Sequence, residues 1–88
     1  MNEPRTFKDR IKFAQKLHKE GFNVNIYNNC IDMYYVFLFS KQNGKLVSYH
    51  VMFYYNELGL IPDTFNEVLL NNRESLLDVK QLVLTAEV

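Results

Sequence analysis

Eighty-eight residues are enough for one domain with a single hydrophobic core, and a hydrophobic content of 48% excludes a disordered tail. Ten basic and ten acidic residues cancel, which argues against a general polyanion binder. The single cysteine, Cys30, excludes an internal disulfide; with no basic-then-apolar leader and no long apolar run, the expectation is a cytoplasmic protein with no membrane partner.

The charges are unevenly distributed. Residues 1–20 carry an excess of three positive charges and residues 51–88 an excess of four negative ones. A basic end and an acidic end orient an approaching partner more than they set affinity.

Thr6 opens the first predicted helix, with Asp9 three residues later as an imperfect capping box and Pro4 just outside. Phe7, Ile11, Ala14 and Leu17 recur at helical spacing, and Phe13 widens the stripe. Lys8, Lys12, Lys16 and Lys19 fall on the opposite side, as a solvated face does. Gly21 reads as a positive-φ helix stop, with Phe22 folding back as its hydrophobic contact. The alternation in Phe22-Asn23-Val24-Asn25-Ile26-Tyr27 then predicts a half-buried strand, and Asn28-Asn29 a turn.

Met33 to Tyr55 contains two runs of β-branched and aromatic residues around Asn43-Gly44, a strong hairpin signal. A two-residue turn places Gln42 opposite Lys45, Leu38 opposite Tyr49, Val36 opposite Val51 and Tyr34 opposite Phe53. Those residues form the expected core face, joined by Val24 and Ile26. The other face then carries Tyr35, Phe37, Phe39, His50, Met52 and Tyr54, beside Asn23, Asn25 and Tyr27.

An apolar connector follows, and Thr64 to Glu67 is a capping box for a helix carrying Phe65, Val68 and Leu69. Ser75 to Asp78 restarts a short helix, and the alternation of Leu82, Leu84 and Ala86 from Gln81 onward suggests a short C-terminal strand. The chain is thus expected to be one α+β domain over residues 1–88. Its order is α-β-β-β-α, with a three-stranded antiparallel sheet and helices mainly on one face.

Catalysis has little to stand on. Cys30 is the one thiol, His18 and His50 are the only imidazoles, and no third group orients either of them. Their spacing matches no metal site, and three glycines make no phosphate loop, so no catalytic residue, metal or cofactor is expected. The element order resembles the double-stranded-RNA-binding domain, but the lysines that open the last helix of such domains are replaced here by Asp63, Thr64 and Glu67. The aromatic face could still stack single-stranded bases, an alternative that lacks the cationic surface phosphates need.

Protein binding fits the residues better. An aromatic and methionine surface interspersed with His and Asn has the composition of an interface core. Tyr35, Phe37, Phe39, His50, Met52 and Tyr54 are therefore the expected partner-binding residues, covered by a larger protein or by a second copy in a homodimer. Glu74 and Asp78, four apart on a helical segment, add an acidic patch that would steer the chain toward a basic surface.

The size, the leading amphipathic helix, the antiparallel core and the closing residues LLDVKQLVLTAEV, with Glu87 before a final aliphatic residue, resemble small phage-encoded anti-CRISPR proteins that inhibit Cas9. The resemblance implies a phage or mobile-element inhibitor whose partner is a larger host defence protein, a nuclease or another enzyme acting on nucleic acid.

Overall fold

The computed structural model describes residues 6–29, 31–59 and 72–87, with the side chains of residues 72–75 not described. Cys30, the Thr64–Glu67 capping box and the helix expected after it lie outside the described residues.

Helix α1 spans Phe7–Lys19, and the Thr6 hydroxyl caps it by accepting from the Asp9 amide at 3.1 Å. Its exit has the expected glycine stop. Gly21 sits at φ +89°, its amide donates to the His18 carbonyl at 3.1 Å, and the Phe22 amide reaches back to the Leu17 carbonyl at 3.1 Å. Reversing the chain this sharply lets strand β1, Asn23–Asn29, return beneath the helix.

Strands β2, Tyr34–Asn43, and β3, Lys45–Tyr54, complete an antiparallel sheet in the order β1-β2-β3. The fold is α+β, as the order of elements predicts. The turn differs, however. Asn43 pairs with Lys45 across Gly44, which alone in the turn takes a positive φ, +77°. The two-residue turn would need positive φ at Asn43 as well, a conformation that costs a side chain energy and glycine none.

That one-residue difference slides β2 against β3 and inverts the face assignment of β2 alone. Tyr35 now pairs with Phe53, Phe37 with Val51 and Phe39 with Tyr49. Tyr35, Phe37 and Phe39 point beneath the helices and are fully buried, so the expectation that they form a partner-binding surface is corrected. Tyr34, Val36 and Leu38 take the opposite face instead of the core. On β3, Val51 and Phe53 are buried as expected. Val24 and Ile26 also face the helices, but opposite Phe39 and Phe37 rather than beside Val36.

Aromatic side chains dominate the core. The Phe37 and Phe53 rings meet edge-on at 5.1 Å, Phe7 meets Phe53 at 6.1 Å, and Tyr35 lies over Tyr55 at 4.8 Å. After β3, a short 3₁₀ turn at Asn56–Leu58 ends at Gly59, and Leu58 folds into the core.

The expected C-terminal strand is not formed. Helix α2 runs over Asn72–Leu84 and takes in both the short helix at Ser75 and the first part of the expected strand, Gln81 to Leu84. Val79 and Val83, one turn apart, are buried against α1 and the sheet, whereas Leu82 is 42% exposed. The i, i+4 pair thus overrides the alternation of Leu82, Leu84 and Ala86. Gln15 on α1 fixes the end of α2 by donating to the carbonyls of Val83 at 3.2 Å and Ala86 at 2.8 Å.

Candidate protein-interaction face

The two helices described here pack on one side of the sheet, and among the described residues no helix covers its other side. In the observed register that open side carries Asn23, Asn25 and Tyr27 from β1, Tyr34, Val36 and Leu38 from β2, and Ser48, His50, Met52 and Tyr54 from β3. None of these side chains is acidic, and none is lysine or arginine. Tyr27 is 55% exposed and Tyr54 45%, while Tyr34, Val36 and Leu38 on the central strand are half-buried by their neighbours.

A charge-free sheet face with large exposed apolar groups differs from an ordinary solvated face, where alternation would bring in lysine and glutamate. Its shape is set at one end by paired rings, with Tyr34 meeting Tyr54 at 5.9 Å and an interplanar angle of 72°. At the same end, the β1–β2 turn presents Ile31, which is 93% exposed. The Asn29 side chain holds that turn, its carbonyl oxygen accepting from the amides of Ile31 at 3.1 Å and Asp32 at 3.0 Å. Met33 completes the turn at φ +60°, an unfavourable conformation for a non-glycine residue that the flanking ladder imposes.

The expected site residues therefore separate. His50, Met52 and Tyr54 lie on the open face, and Tyr27 joins them. Tyr35, Phe37 and Phe39 are inside. Asp78 is exposed on α2, behind the sheet, and Glu74 lies on the same helix with its side chain outside the description. The residues that the two-residue turn misplaced are Tyr34, Val36 and Leu38. Side-chain volume was the signal for them: of the two alternating sets on β2, the one with three aromatic rings buries more apolar area.

An ion pair closes one flank of the sheet. Arg10, on α1, forms a two-pronged bridge to Glu57, with one contact at 2.9 Å, and also donates to the Met52 carbonyl. Glu57 in turn accepts from the Tyr54 amide at 3.0 Å. The Arg10 guanidinium lies 5.7 Å from the Phe53 ring centre. These contacts hold the Glu57 carboxyl below its ordinary range, chiefly through the hydrogen bond from Arg10, against a partial burial that acts the other way.

His18 is exposed on α1 and His50 on the open face, on opposite sides of the sheet. Among the described residues no group of three His, Cys, Asp or Glu side chains could hold a metal ion, and no described helix is long and apolar enough to cross a membrane. Lys8, Lys12, Lys16 and Lys19 are all exposed along α1, away from the open face.

In comparisons with protein-family models, curated proteins and solved structures, the chain matches none. The site is thus defined by its own geometry: a tyrosine-bearing sheet face on which the described strands place no acidic, lysine or arginine side chain.

Proposed function

We propose that this chain is a non-catalytic protein-interaction module that docks through the open face of its sheet. The observation that carries the reading is that, among the described residues, the three strands place no charged side chain on a face bearing exposed Tyr27, Met52 and Tyr54. Burying such a face costs no ion desolvation, and the tyrosines supply both apolar area and a hydroxyl for hydrogen bonding. The partner class that fits is a larger cytoplasmic host protein, blocked when the module covers a working surface. A CRISPR nuclease is the first to test, because the layout of the chain resembles inhibitors of such enzymes.

The test uses Val36→Glu, which places one carboxylate in the middle of the face and leaves the buried side untouched. The wild type should inhibit nuclease cleavage at modest molar excess. Val36→Glu should need at least about 100-fold more protein, since a charge desolvated without a partner costs several kcal/mol. Cleavage unaffected by a large excess of wild type would remove that nuclease as the partner. Salt-sensitive binding of labelled single-stranded oligonucleotides would instead favour stacking on Tyr27, Tyr34 and Tyr54. The face itself offers no cation to the phosphates.

Glu74 and Asp78 act in this reading only at long range. Replacing both with their amides should slow association at low salt and leave the dissociation rate unchanged, as measured by surface plasmon resonance across a salt series.

A further inference from the structure

Strand β3 is an edge of the sheet, and its two halves are treated differently. The Tyr55 amide donates to the Met33 carbonyl at 2.9 Å, so odd-numbered residues of β3 direct their backbone groups toward β2. Even-numbered residues direct theirs outward. At Met52 and Tyr54 one outward group each is occupied: Arg10 donates to the Met52 carbonyl, and the Tyr54 amide donates to Glu57. Among the described residues, nothing bonds the outward amides and carbonyls of Leu46, Ser48 and His50.

The open half is also apolar on both of its sides. Leu46 is 71% exposed on the sheet's open face, while Val47 and Tyr49 remain 40% and 37% exposed on the helix side. Natural sheets protect such an edge with lysine, proline or a bulge. Residues 46–50, LVSYH, contain no lysine, arginine, acid or proline.

We infer that residues Leu46–His50 are a self-pairing edge, joining two copies of this chain antiparallel about a two-fold axis at Ser48. The segment is complementary to itself. In that register Leu46 lies opposite His50 of the second copy, Ser48 opposite Ser48, and Val47 opposite Tyr49. Each outward-facing pair exchanges both of its backbone hydrogen bonds. Tyr49 already meets Phe13 at 5.4 Å and Phe22 at 5.8 Å, so Val47 of the second copy extends an existing apolar cluster. Lys45 falls opposite Val51 rather than opposite its own equivalent, and the formal net charge of zero sets no barrier to approach.

The contacts of Arg10 and Glu57 with the strand edge fix the extent of the pairing. The next hydrogen-bonded pair in this register would be Gly44 with Met52, whose carbonyl Arg10 already occupies. The ladder therefore stops after His50, which explains why a symmetric contact centres on Ser48. Joining the edges in this way would set two open faces side by side in one sheet, but the inference rests on the edge alone.

Sedimentation equilibrium over a concentration series tests it first, with an expected twofold rise in mass across the micromolar range typical of small interfaces. Leu46→Lys/Val47→Lys adds edge lysines at exposed positions and should hold the chain at the monomer mass throughout. A second variant does not depend on that one folding. Ser48→Cys in a Cys30→Ser background should form a disulfide-linked dimer under mild oxidation, because the two Cα atoms of a hydrogen-bonded antiparallel pair lie about 5.5 Å apart. His50→Cys in the same background should not. A wild type that stays monomeric overturns the inference, as does a dimer that persists in the lysine variant. Cross-linking at His50 in preference to Ser48 overturns it too. Val36→Glu should leave the dimer intact, so loss of docking through the open face and loss of edge pairing are read separately.

Discussion

Phe37→Ala is expected to cost about 3–5 kcal/mol of folding stability, whereas Val36→Ala beside it should cost less than about 1 kcal/mol. Phe37 is fully buried, pairs with Val51 and meets the Phe53 ring at 5.1 Å. Truncation removes a ring from the centre of an aromatic cluster whose neighbours can collapse only in part, so a cavity term adds to the lost transfer energy. Val36 lies on the open face and is only half-buried. Urea denaturation of the two variants measures both losses. If they came out reversed, β2 would sit one residue away from the register described, and the open face would carry the aromatic set instead.

That pair of substitutions also marks where the sequence becomes ambiguous. The residues around Asn43-Gly44 announce a hairpin, but its loop length decides which side chains share a face. Both alternating sets on β2 are hydrophobic, so polarity cannot choose between them. On β3 it can: His50, Met52 and Tyr54 alternate with Val51 and Phe53, and those positions fall where the pattern puts them. The cap at Thr6 and the stop at Gly21 are equally legible, because each depends on one residue type in a local geometry.

The C-terminal segment shows a different limit. Leu82, Leu84 and Ala86 satisfy a period of two, while Leu76, Val79 and Val83 satisfy a helical period across the same residues. A seven-residue window sees the first pattern, and a window of helix length sees the second. Burial of Val79 and Val83 against α1 decides in favour of the helix. The separation of Asp78 from the open face follows from this helix, which places it behind the sheet. Arg10 is the one cation of α1 that falls off the lysine row, which was a local sign that it faces inward. Its partner Glu57 is 47 residues away, and no local pattern reveals such a pair.

Removing Arg10 carries the second large expected effect. Arg10→Ala should lower stability by about 2–3 kcal/mol near neutral pH, between the values for exposed and buried ion pairs. The side chains of Arg10 and Glu57 are 13% and 23% exposed, so the pair is well shielded but still touched by water. The variant leaves the Glu57 carboxylate partly buried beside Tyr54 without its cation, strips the Met52 carbonyl of its donor, and removes the guanidinium from the Phe53 ring. Acid should narrow the gap. Because folding lowers the Glu57 pKa, the stability it contributes is fully present above the unfolded carboxylate value of about 4.3 and is lost as pH falls through the lower folded value. Wild type and Arg10→Ala should thus converge as the pH falls through that lowered folded value, and Glu57→Gln should show the same convergence. Thermal melts from pH 7 to 3 provide the measurement. A gap independent of pH would mean that Arg10 stabilises the chain through its contacts with Phe53 and the Met52 carbonyl and not through Glu57. Arg10→Lys separates these roles further: it keeps a positive charge near Glu57 but cannot grip both carboxylate oxygens and the Met52 carbonyl together. It should recover only part of the loss.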